Sequence, residues 1–481
     1  MLIRYFVLIF AAMLSLPAWA AIYNVKDFGA IGNGQNIDSP AINAAIEQAS
    51  QNGGGTIYLP AGEYRCYSIR LKSNITLYIE SGATIVAAFP DPEPHLGYDS
   101  PEPNPENTYQ DFGHSHWKNS LLWAIGQQNI TICGGGLIHG KGLTREESRL
   151  PGVGNKAIAL KECHNVTLRD ISLLRCGHFA VIATGVDNLT ITNVRVDTNR
   201  DGFDIDCCRN VRISDCSVNT PWDDAIVLKS SYGLGYIKDT QNVTITGCYV
   251  SGFDNGTAYT AQWETDEPQA PDHGYTVGRI KFGTESSGGF KNIAITNCIF
   301  ERCRGLALEV VDGGHMEDLV ISNITMRDIV NAPLFLRLGA RQRSPKDTPI
   351  GTMRRITISN INVFNADSRY SCIISGIPGH CIENVSLSNI NIYFKGGFSL
   401  EDGAREVPEN EKVYPEPWMF GPIPASGFFV RHAREIFFDN IRFHFAEKDE
   451  RPLFIFDDVE KSELNAVRIN GTKIENPLNA Q

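Results

Sequence analysis

The sequence has 481 residues, of which 42% are hydrophobic, 44 are glycine and 24 are proline. This composition is typical of an all-β or repeat protein and argues against a disordered chain. The formal net charge of −12, with a pI near 5.5, excludes the basic surface that nucleic acids require. The same charge repels acidic polymers at long range, so binding one requires a local patch of lysine and arginine.

Residues 1–20 have the features of a signal peptide. Arg4 precedes an apolar run from Tyr5 to Leu16, and Ala18-Trp19-Ala20 has the small-x-small pattern that precedes signal-peptidase cleavage. No later stretch has the ~18 consecutive apolar residues of a membrane-spanning helix. We therefore expect a mature chain of residues 21–481 that is exported, either to the periplasm or to the medium, as a monomer without a membrane span.

Residues 38–53 predict a helix that caps the N-terminal end of the fold. Asp38-Ser39-Pro40 offers an N-cap and a proline in the first turn, and Gly53-Gly54-Gly55 ends the segment. The apolar side chains between these signals have helical spacing. Such a cap covers an open sheet edge that would otherwise invite aggregation.

An asparagine-led motif recurs along the chain and predicts the architecture. Each copy reads Asn-aliphatic-x-aliphatic, and the closest copies are 23 (188 − 165) and 22 (210 − 188) residues apart. The alternation is that of a strand with one buried face. Two or three short strands per repeat predict a parallel β-helix, because a propeller blade needs about twice the length. Asparagine suits a left-handed turn position and can stack into a ladder. The copies begin at Asn74, Asn129, Asn165, Asn188, Asn210, Asn242, Asn292 and Asn384.

Three poorly repetitive stretches, at about 88–120, 251–279 and 400–427, are predicted to be loop insertions on a single catalytic domain. In a solenoid, insertions of this kind commonly wall the binding face.

The twelve cysteines show no CxxC pair and no Cys/His spacing that predicts a metal site. Cys216, Cys248 and Cys298 share one position of the repeat and are predicted to form a buried, unbonded stack. Cys372 and Cys381 bracket a Gly-Ile-Pro-Gly turn and are the better candidates for a disulfide.

Three carboxylates are predicted to converge on one patch of the repeat. Asp201 and Asp223 are 22 residues apart, and Asp224 follows directly. Neighbouring coils stack about 4.8 Å apart, so mutual repulsion is expected to raise at least one pKa. Glycoside hydrolysis uses such a pair, one carboxyl as acid and one as base, and an inverting pair is about 6.5–9.5 Å apart. Strict strand alternation would send Asp223 and Asp224 to opposite sides, which a bend beside Pro221-Trp222 would resolve.

Asn199-x-Asp201-Gly-x-Asp204, followed by Asp223-Asp224-x-Ile-x-Leu-Lys229-Ser, resembles the core signature of glycoside hydrolase family 28, the polygalacturonases and rhamnogalacturonan hydrolases. Residues 23–34 and 53–64 are similar to the N-terminal cap of the wider pectate-lyase-like superfamily. Together these stretches span nearly the whole mature chain. The resemblance implies a right-handed single-stranded parallel β-helix and an inverting hydrolysis without metal or other cofactor.

Carried over by motif position, the resemblance implies that Asp223 is the general acid and that Asp201 and Asp224 hold and activate the water. Lys229 is expected in the cleft, and Asn199 and Asp204 are expected to bind substrate as part of the same motif.

The sequence departs from the family where galacturonate is bound. The usual Gly-His-Gly is replaced by Val277-Gly278-Arg279 with no histidine. The letters Arg279-Ile280-Lys281 spell the family's carboxylate clamp, but one coil too early. At the expected position stands Ala307-Leu308-Glu309, and an anionic Glu309 is expected to repel a sugar carboxylate.

Two substrates remain open. The favoured one is a pectin with a neutral leaving-side sugar, for example rhamnogalacturonan, with galacturonate held by Lys229, Arg279 and Lys281. The other is galacturonan itself, with the clamp moved onto Arg279 and Lys281. The loops are expected to favour exo cleavage or short oligosaccharides. His178 is a further candidate contact on the glycone side, and Arg431 with His432 is a candidate pair beside the last loop.

Two other classes also fit the sequence. A polysaccharide lyase shares the superfamily fold but normally needs Ca²⁺, which carboxylates can bind. A non-catalytic carbohydrate-binding β-helix would not need the carboxylates at all.

Overall fold

The computed structural model describes residues 21–91, 96–146, 150–266 and 276–479. The predicted signal peptide lies outside these residues. None of the helices in the described ranges has the length and hydropathy needed to cross a bilayer.

One α-helix, α1 (Ser39–Gln51), covers the N-terminal end of the fold, as the sequence predicts. Its apolar side chains Ile42, Ala45, Ile46 and Ala49 are buried against the first strands. Pro40 lies in the first turn, but Asp38 does not cap the helix with its side chain. Its carboxylate instead accepts hydrogen bonds from the backbone N–H of residues 31 and 32, at 2.7 and 3.1 Å. The carboxylate thus holds the preceding loop rather than the helix end.

The rest of the described chain is mostly β-strand. In chain order the strands are β1 Ile22–Asn24, β2 Asn33–Ile37, β3 Gly55–Leu59, β4 Gly62–Cys66, β5 Ile69–Arg70, β6 Ile75–Ile79, β7 Ala83–Ala87, β8 Ser120–Ile125, β9 Gln128–Cys133, β10 Leu137–His139, β11 Lys156–Lys161, β12 His164–Arg169, β13 Ser172–Leu174, β14 Phe179–Thr184, β15 Asp187–Thr192, β16 Arg195–Asp197, β17 Asp201–Asp206, β18 Arg209–Ser214, β19 Ser217–Asn219, β20 Ile226–Ser230, β21 Thr240–Thr246, β22 Tyr249–Ser251, β23 Ile280–Ser286, β24 Phe290–Thr296, β25 Ile299–Glu301, β26 Leu306–Val310, β27 His315–Arg327, β28 Leu334–Leu338, β29 Thr352–Ala366, β30 Cys372–Ser375, β31 Ile382–Phe394, β32 Phe428–Phe445, β33 Phe454–Asn465, β34 Arg468–Ile469 and β35 Thr472–Lys473. Short 3₁₀ helices span Val25–Phe28, Pro105–Tyr109, Phe112–His114, Glu401–Ala404, Pro417–Phe420 and Pro477–Asn479.

Each coil contributes one strand to each of three parallel ladders. The first ladder runs from β1 through β3, β6, β9 and every third strand to β24. The second runs from β2 through β4, β7 and β10 to β25. The third begins at β5 and passes through β8, β11, β14, β17, β20, β23, β26 and β28 to reach β30. From β27 onward, one long strand per coil serves the first two ladders. The architecture is a right-handed parallel β-helix, and its core is the column of apolar side chains that the three ladders enclose.

An asparagine ladder runs along one corner of the coils, as the repeat predicts. The asparagines that head the repeat have positive φ, between 51° and 62°. From Asn129 to Asn292, each side-chain amide donates to the side-chain oxygen of the asparagine one coil earlier, for example Asn188 to Asn165 at 2.9 Å and Asn210 to Asn188 at 3.0 Å. The left-handed turn therefore recurs at a fixed place in every coil and fixes the stacking register.

The cysteines are unbonded throughout the described chain. Cys216, Cys248 and Cys298 are buried at one stacked position, which confirms the predicted stack. The predicted Cys372–Cys381 disulfide is wrong. Cys372 faces the core from β30, whereas Cys381 lies half-buried ahead of β31.

The asparagine ladder generates a stability prediction. Asn210→Ala is expected to lower the free energy of unfolding by about 2 kcal/mol, because alanine is strained in the left-handed region and both ladder hydrogen bonds are lost. Asn210→Gly loses the same bonds without the backbone strain, so it is expected to cost roughly half as much. Urea denaturation measures both variants. Equal losses for the two would contradict a role for the backbone conformation.

Candidate active site

A pocket of about 410 Å³ lies on the third ladder, at the edge where its strands begin. The coils supply its floor, and three loops supply its walls. Its lining is rich in charge and comprises Asp111, His114, Arg200, Asp201, Asp223, Asp224, Lys229, Lys281, Gly283, Thr284, Glu285, Arg341, Arg343, Tyr414 and Trp418.

The three predicted catalytic carboxylates meet at this pocket. Asp201 is the first residue of β17, whereas Asp223 and Asp224 lie in the turn that precedes β20. The strand alternation therefore does not begin until after them, and both side chains reach the pocket without a bulge in the strand. Phe203 pairs with Ile226, an offset of 23 (226 − 203), so Asp201 falls opposite Asp224 and not opposite Asp223. The expected equivalence of Asp201 and Asp223 is wrong by one residue.

The carboxylates are closer together than the sequence argument expected. One carboxylate oxygen from each of Asp201, Asp223 and Asp224 lies within 4.8 Å of the others. This is shorter than the separation of about 6.5–9.5 Å between the two carboxyl groups of most inverting glycosidases. Asp223 lies one coil after Asp201, and the turn before β20 brings the two carboxylates side by side.

Asp201 and Asp223 share one environment but differ in pKa. Burial, followed by the Asp223 charge, raises the pKa of Asp201 well above its usual value. Burial also opposes ionisation of Asp223, but the Arg200 guanidinium, at 3.1 Å, and a hydrogen bond from Asp201 hold its pKa below the usual value. Burial and the neighbouring charge thus favour the protonated form of Asp201, whereas Arg200 favours the ionised form of Asp223. The expected raised pKa is that of Asp201, and burial contributes more to it than repulsion does.

A second charged group lies at the pocket floor, where Lys229 and Glu285 are part of the lining. Lys229 Nζ is 2.8 Å from Asp204 and 3.4 Å from Glu285, and it contacts Nε2 of His114. Burial opposes ionisation of Asp204 and Glu285, but Lys229 and the other groups around them together lower the pKa of both. Asp204 is fully buried and does not line the pocket, so its expected contact with substrate is wrong.

Asp224 is held by a chain of buried ion pairs. Arg279 Nε donates to Asp224 at 2.8 Å, and the far side of the same guanidinium bonds to Glu416. Arg304 also pairs with Glu416, at 2.9 Å. Arg279 is 2% exposed and lies behind Asp224, so it is not the carboxylate clamp that the sequence suggested. Lys281, by contrast, lines the pocket 3.6 Å from Asp224.

Glu309 lies under Lys281, out of the pocket. The side chain is fully buried, with an oxygen 3.5 Å from Lys281 Nζ. Burial raises its pKa to about 8. The expectation of an anionic Glu309 that faces and repels a sugar carboxylate is therefore wrong, because the side chain points into the protein and keeps its proton at neutral pH.

Loops from distant parts of the sequence complete the pocket. We call residues 414–418 the strap. Tyr414 of the strap approaches Lys281, with its hydroxyl 3.3 Å from Nζ, and Trp418 forms the outer wall. On the other side, Arg343 bonds to Asp111 at 2.6 Å, which joins two loops across the pocket. Glu416 anchors the strap, because its carboxylate pairs with Arg279 and Arg304 in the turns of the two coils that follow Asp224.

The remaining predicted substrate contacts lie elsewhere. Asn199 lines a separate cavity on the same edge. His178 is buried, and its Nδ1 donates to the carbonyl oxygen of Arg145 at 2.8 Å. Arg431 bonds to Asp457 and to the carbonyl of residue 407, and His432 bonds to Asp458 and Glu409. These contacts place the Arg431–His432 pair in the packing of the last coils and not at the carboxylates.

Sequence reasoning missed most of the pocket's loop residues. His114 and Asp111 lie in a stretch that was identified only as an insertion rich in Pro, Glu and His, and Tyr414 and Trp418 lie in another insertion. Arg341 and Arg343 are separated by one residue just after β28, a spacing that directs both side chains to one side. The Arg341-x-Arg343 spacing is the signal in the sequence that points to cations of the pocket lining.

Comparison with known proteins bears on the fold and on the family resemblance. The family model described as "Right handed beta helix region" matches residues 128–265 and 156–342, and the one described as "Rhamnogalacturonase A/epimerase, pectate lyase-like" matches residues 22–91. A probable polygalacturonase of Vitis vinifera is 22% identical over 415 residues, 80% of this chain and 76% of that protein. The mannuronan C5-epimerase AlgE1 of Azotobacter vinelandii is 54% identical over 66 residues, which span 14% of this chain and 5% of the epimerase.

Solved structures share the fold at low identity. A family 28 exopolygalacturonase of Yersinia enterocolitica superposes with a TM-score of 0.66 at 18% identity, covering 95% of this chain and 80% of that one. An exopolygalacturonase of Thermotoga maritima gives 0.59 at 17% identity, covering 95% and 93%. The right-handed parallel β-helix and the resemblance to family 28 are thus confirmed.

The anchor of the strap generates a prediction about stability. Glu416→Ala leaves Arg279 and Arg304 buried without their partner and is expected to cost about 3–5 kcal/mol of the free energy of unfolding. Burial opposes ionisation of Glu416, but Arg279 and Arg304 lower its pKa from the ordinary 4.5 to about 2. The stabilisation is therefore complete above pH 4.5 and is lost as the pH falls towards 2. Denaturation at several pH values measures both effects. Glu406→Ala, an exposed change in the same loop, is the control and should be neutral.

Glu309 generates a prediction of opposite sign. The pKa of Glu309 is raised in the folded state. The stabilisation of the folded protein by the protonated side chain is therefore complete below pH 4.5 and is lost as the pH rises through about 8. Glu309→Gln removes this pH dependence and keeps the shape. The melting temperature of the variant, relative to wild type, should therefore rise between pH 5 and pH 9. A difference that stays constant across this range would contradict a protonated Glu309.

Proposed function

We propose that the protein is an exported glycoside hydrolase that cleaves α-glycosidic bonds in pectic polysaccharide by inverting general acid/base catalysis. The observation that carries the proposal is the cluster of Asp201, Asp223 and Asp224 at one pocket, in which burial raises the pKa of Asp201 while Arg200 lowers that of Asp223. The similarity to proteins named polygalacturonases supports the choice of a pectic substrate.

Asp223 is the residue that can deliver the proton. Its side chain is 26% exposed, whereas that of Asp201 is 4% exposed. Arg200 favours the ionised form of Asp223. A substrate carboxylate that binds Arg200 would weaken the Arg200–Asp223 pair, raise the pKa of Asp223 and draw the proton across from Asp201. Substrate binding would thereby convert Asp223 into its protonated, acidic form.

Asp201 and Asp224 are suited to hold the attacking water. Two carboxylate oxygens about 4.5 Å apart can each accept one hydrogen of the same water at about 2.8 Å. The oxygens here lie within 4.8 Å of each other. Once Asp201 has given up its proton, it can accept a proton from this water as base. Arg279 and Lys281 hold the Asp224 carboxylate in place beside this water.

The pocket offers cations for an acidic sugar. Arg200, Lys229, Lys281, Arg341 and Arg343 line it, and each lies within ion-pair distance of a protein carboxylate. Guanidinium groups bind carboxylates through two parallel hydrogen bonds. These cations are the local groups that a chain of net charge −12 can offer to an anionic glycan, whose carboxylate would share them with their protein partners.

The strap closes the groove towards the C-terminal coils. Glu416 is buried on Arg279 and Arg304, so residues 414–418 lie across the turns where a polymer would continue past Asp224. We infer that the enzyme acts at chain ends or on short oligosaccharides, and that the sugar on the strap side is terminal.

The alternatives fit the site less well. A lyase would use the carboxylates for Ca²⁺, but two of the three are already paired with a protein cation, Asp223 with Arg200 and Asp224 with Arg279. A non-catalytic role would leave the convergence of Asp201, Asp223 and Asp224 on one pocket unexplained.

Product analysis tests the reaction class, the substrate and the mode of attack. We expect reducing ends with the β-anomer in the first turnovers, no product with ultraviolet absorbance, short products from the start, and unchanged activity in chelator. Homogalacturonan and rhamnogalacturonan are compared side by side to identify the glycan. An unsaturated product would establish a lyase, and an initial α-anomer would overturn the inverting roles.

Variants test the residues. Asp223→Asn is expected to lower kcat by about 10²–10⁴-fold, because an amide has no proton to deliver to the leaving oxygen. Asp201→Asn and Asp224→Asn should also be strongly impaired. Asp215→Asn changes an exposed carboxylate on a different corner of the coils and is the matched control. Full activity in Asp223→Asn would refute the proposed acid.

A further inference from the structure

A second cavity, of about 340 Å³, lies on the same edge of the β-helix as the active site. We call it the basic pocket. It is built from the turns after β10, β13 and β16, in the coils that precede the turn bearing Asp223, and Asn255 of the loop after β22 completes it. Its lining is His139, Gly140, Lys141, Leu143, Arg145, Arg175, Gly177, Asn199 and Asn255.

The charge of the basic pocket is of one sign. Among the described residues that line it, Lys141, Arg145 and Arg175 are cationic and none is acidic. Burial, and then the charges of Arg175 and Lys141, lower the pKa of His139. Like charges that converge on one cavity repel each other, and a bound anion relieves that repulsion. Acidic residues predominate in this chain of net charge −12, so a cavity whose described lining has three cations and no carboxylate is unusual for it.

The backbone around the cavity is fixed. The Nδ1–H of the buried His178 donates to the carbonyl of Arg145 at 2.8 Å and so holds the loop that carries this arginine. Gly177 has φ +77°, and a Cβ there would come within 2.8 Å of Leu143 and of the Thr144 carbonyl. The turn can therefore approach the loop only as glycine.

A continuous surface joins the basic pocket to the carboxylates. The Arg145 guanidinium lies over the Trp222 ring, 4.7 Å from its centre, and Trp222 directly precedes Asp223. Asn199 lines the basic pocket, and the next residue, Arg200, lines the active site and pairs with Asp223. Coils stack about 4.8 Å apart, so the two cavities are one to two coils apart along the axis.

We propose that the basic pocket is a binding subsite for the carboxylate of a uronic acid unit, on the N-terminal side of the bond that is cleaved. Arg175 and Lys141 bind the carboxylate, and Trp222 lies beneath the sugar between the two cavities. The strap closes the opposite side, so the polymer leaves the active site by this route. The direction of the polymer rests on the proposed function, whereas the binding of an acidic sugar can be measured without catalysis.

Calorimetric titration of the Asp223→Asn protein tests the subsite. The probes are trigalacturonate and the same trimer with its carboxylates reduced to alcohols. Adding Arg175→Ala is expected to weaken binding of trigalacturonate at least tenfold and to leave the reduced trimer unchanged. Arg175→Lys should restore part of the loss. Arg209→Ala, an exposed arginine on a different ladder, is the control and should have no effect.

Three outcomes would overturn the inference. These are no binding of trigalacturonate, equal affinity with and without Arg175, or an equal loss for the charged and the reduced trimer. Hydrolysis by the wild-type enzyme is a separate readout. If trigalacturonate binds through Arg175 but no glycan is cleaved, the proposed function fails and the subsite stands.

Discussion

The pairing of buried carboxylates with buried cations is the interaction on which the rest of the site depends. Asp224 with Arg279, Asp204 with Lys229, and Glu416 with Arg304 all lie where water is excluded. An unpaired charge in such a place is expensive, so every member needs its partner. The partners come from different coils and loops. The pairs of Glu416 with Arg279 and Arg304 therefore hold the strap, which belongs to no strand, against the coil turns beside the proposed catalytic carboxylates.

The coils and the loops contribute differently to the pocket. The coil register places Asp201 opposite Asp224, and the turn before β20 adds Asp223 beside them. This part needs only neighbouring repeats. The cations at the outer wall, such as Arg343, and the aromatic wall of Trp418 come from insertions that leave the coil and return to it. The reaction chemistry is thus set by the scaffold, whereas the shape and charge that a substrate meets are set by the loops.

The predictable part of the structure is the part that repeats. Asparagine at a left-handed corner, alternation in the strands and the spacing of Asp201 and Asp223 are local signals, and they were enough for the fold and the carboxylates. Arg279 and Glu309 were misplaced because their roles depend on partners far away in sequence, Glu416 for one and Lys281 for the other. Alternation identifies which side of a strand a residue occupies. It does not show whether a charged side chain near the pocket is already paired with an opposite charge from a distant segment, as Arg279 is with Glu416.

Glu416 is separated from Arg279 by 137 positions along the chain. The coils that carry the aspartates can stack on one another before that segment is available, but the wall of the pocket cannot close until the later coils have been made. Completion of the site must follow assembly of nearly the whole solenoid. A nascent or truncated chain would therefore present its carboxylates in an open groove, and catalytic competence would be a property of the finished protein alone.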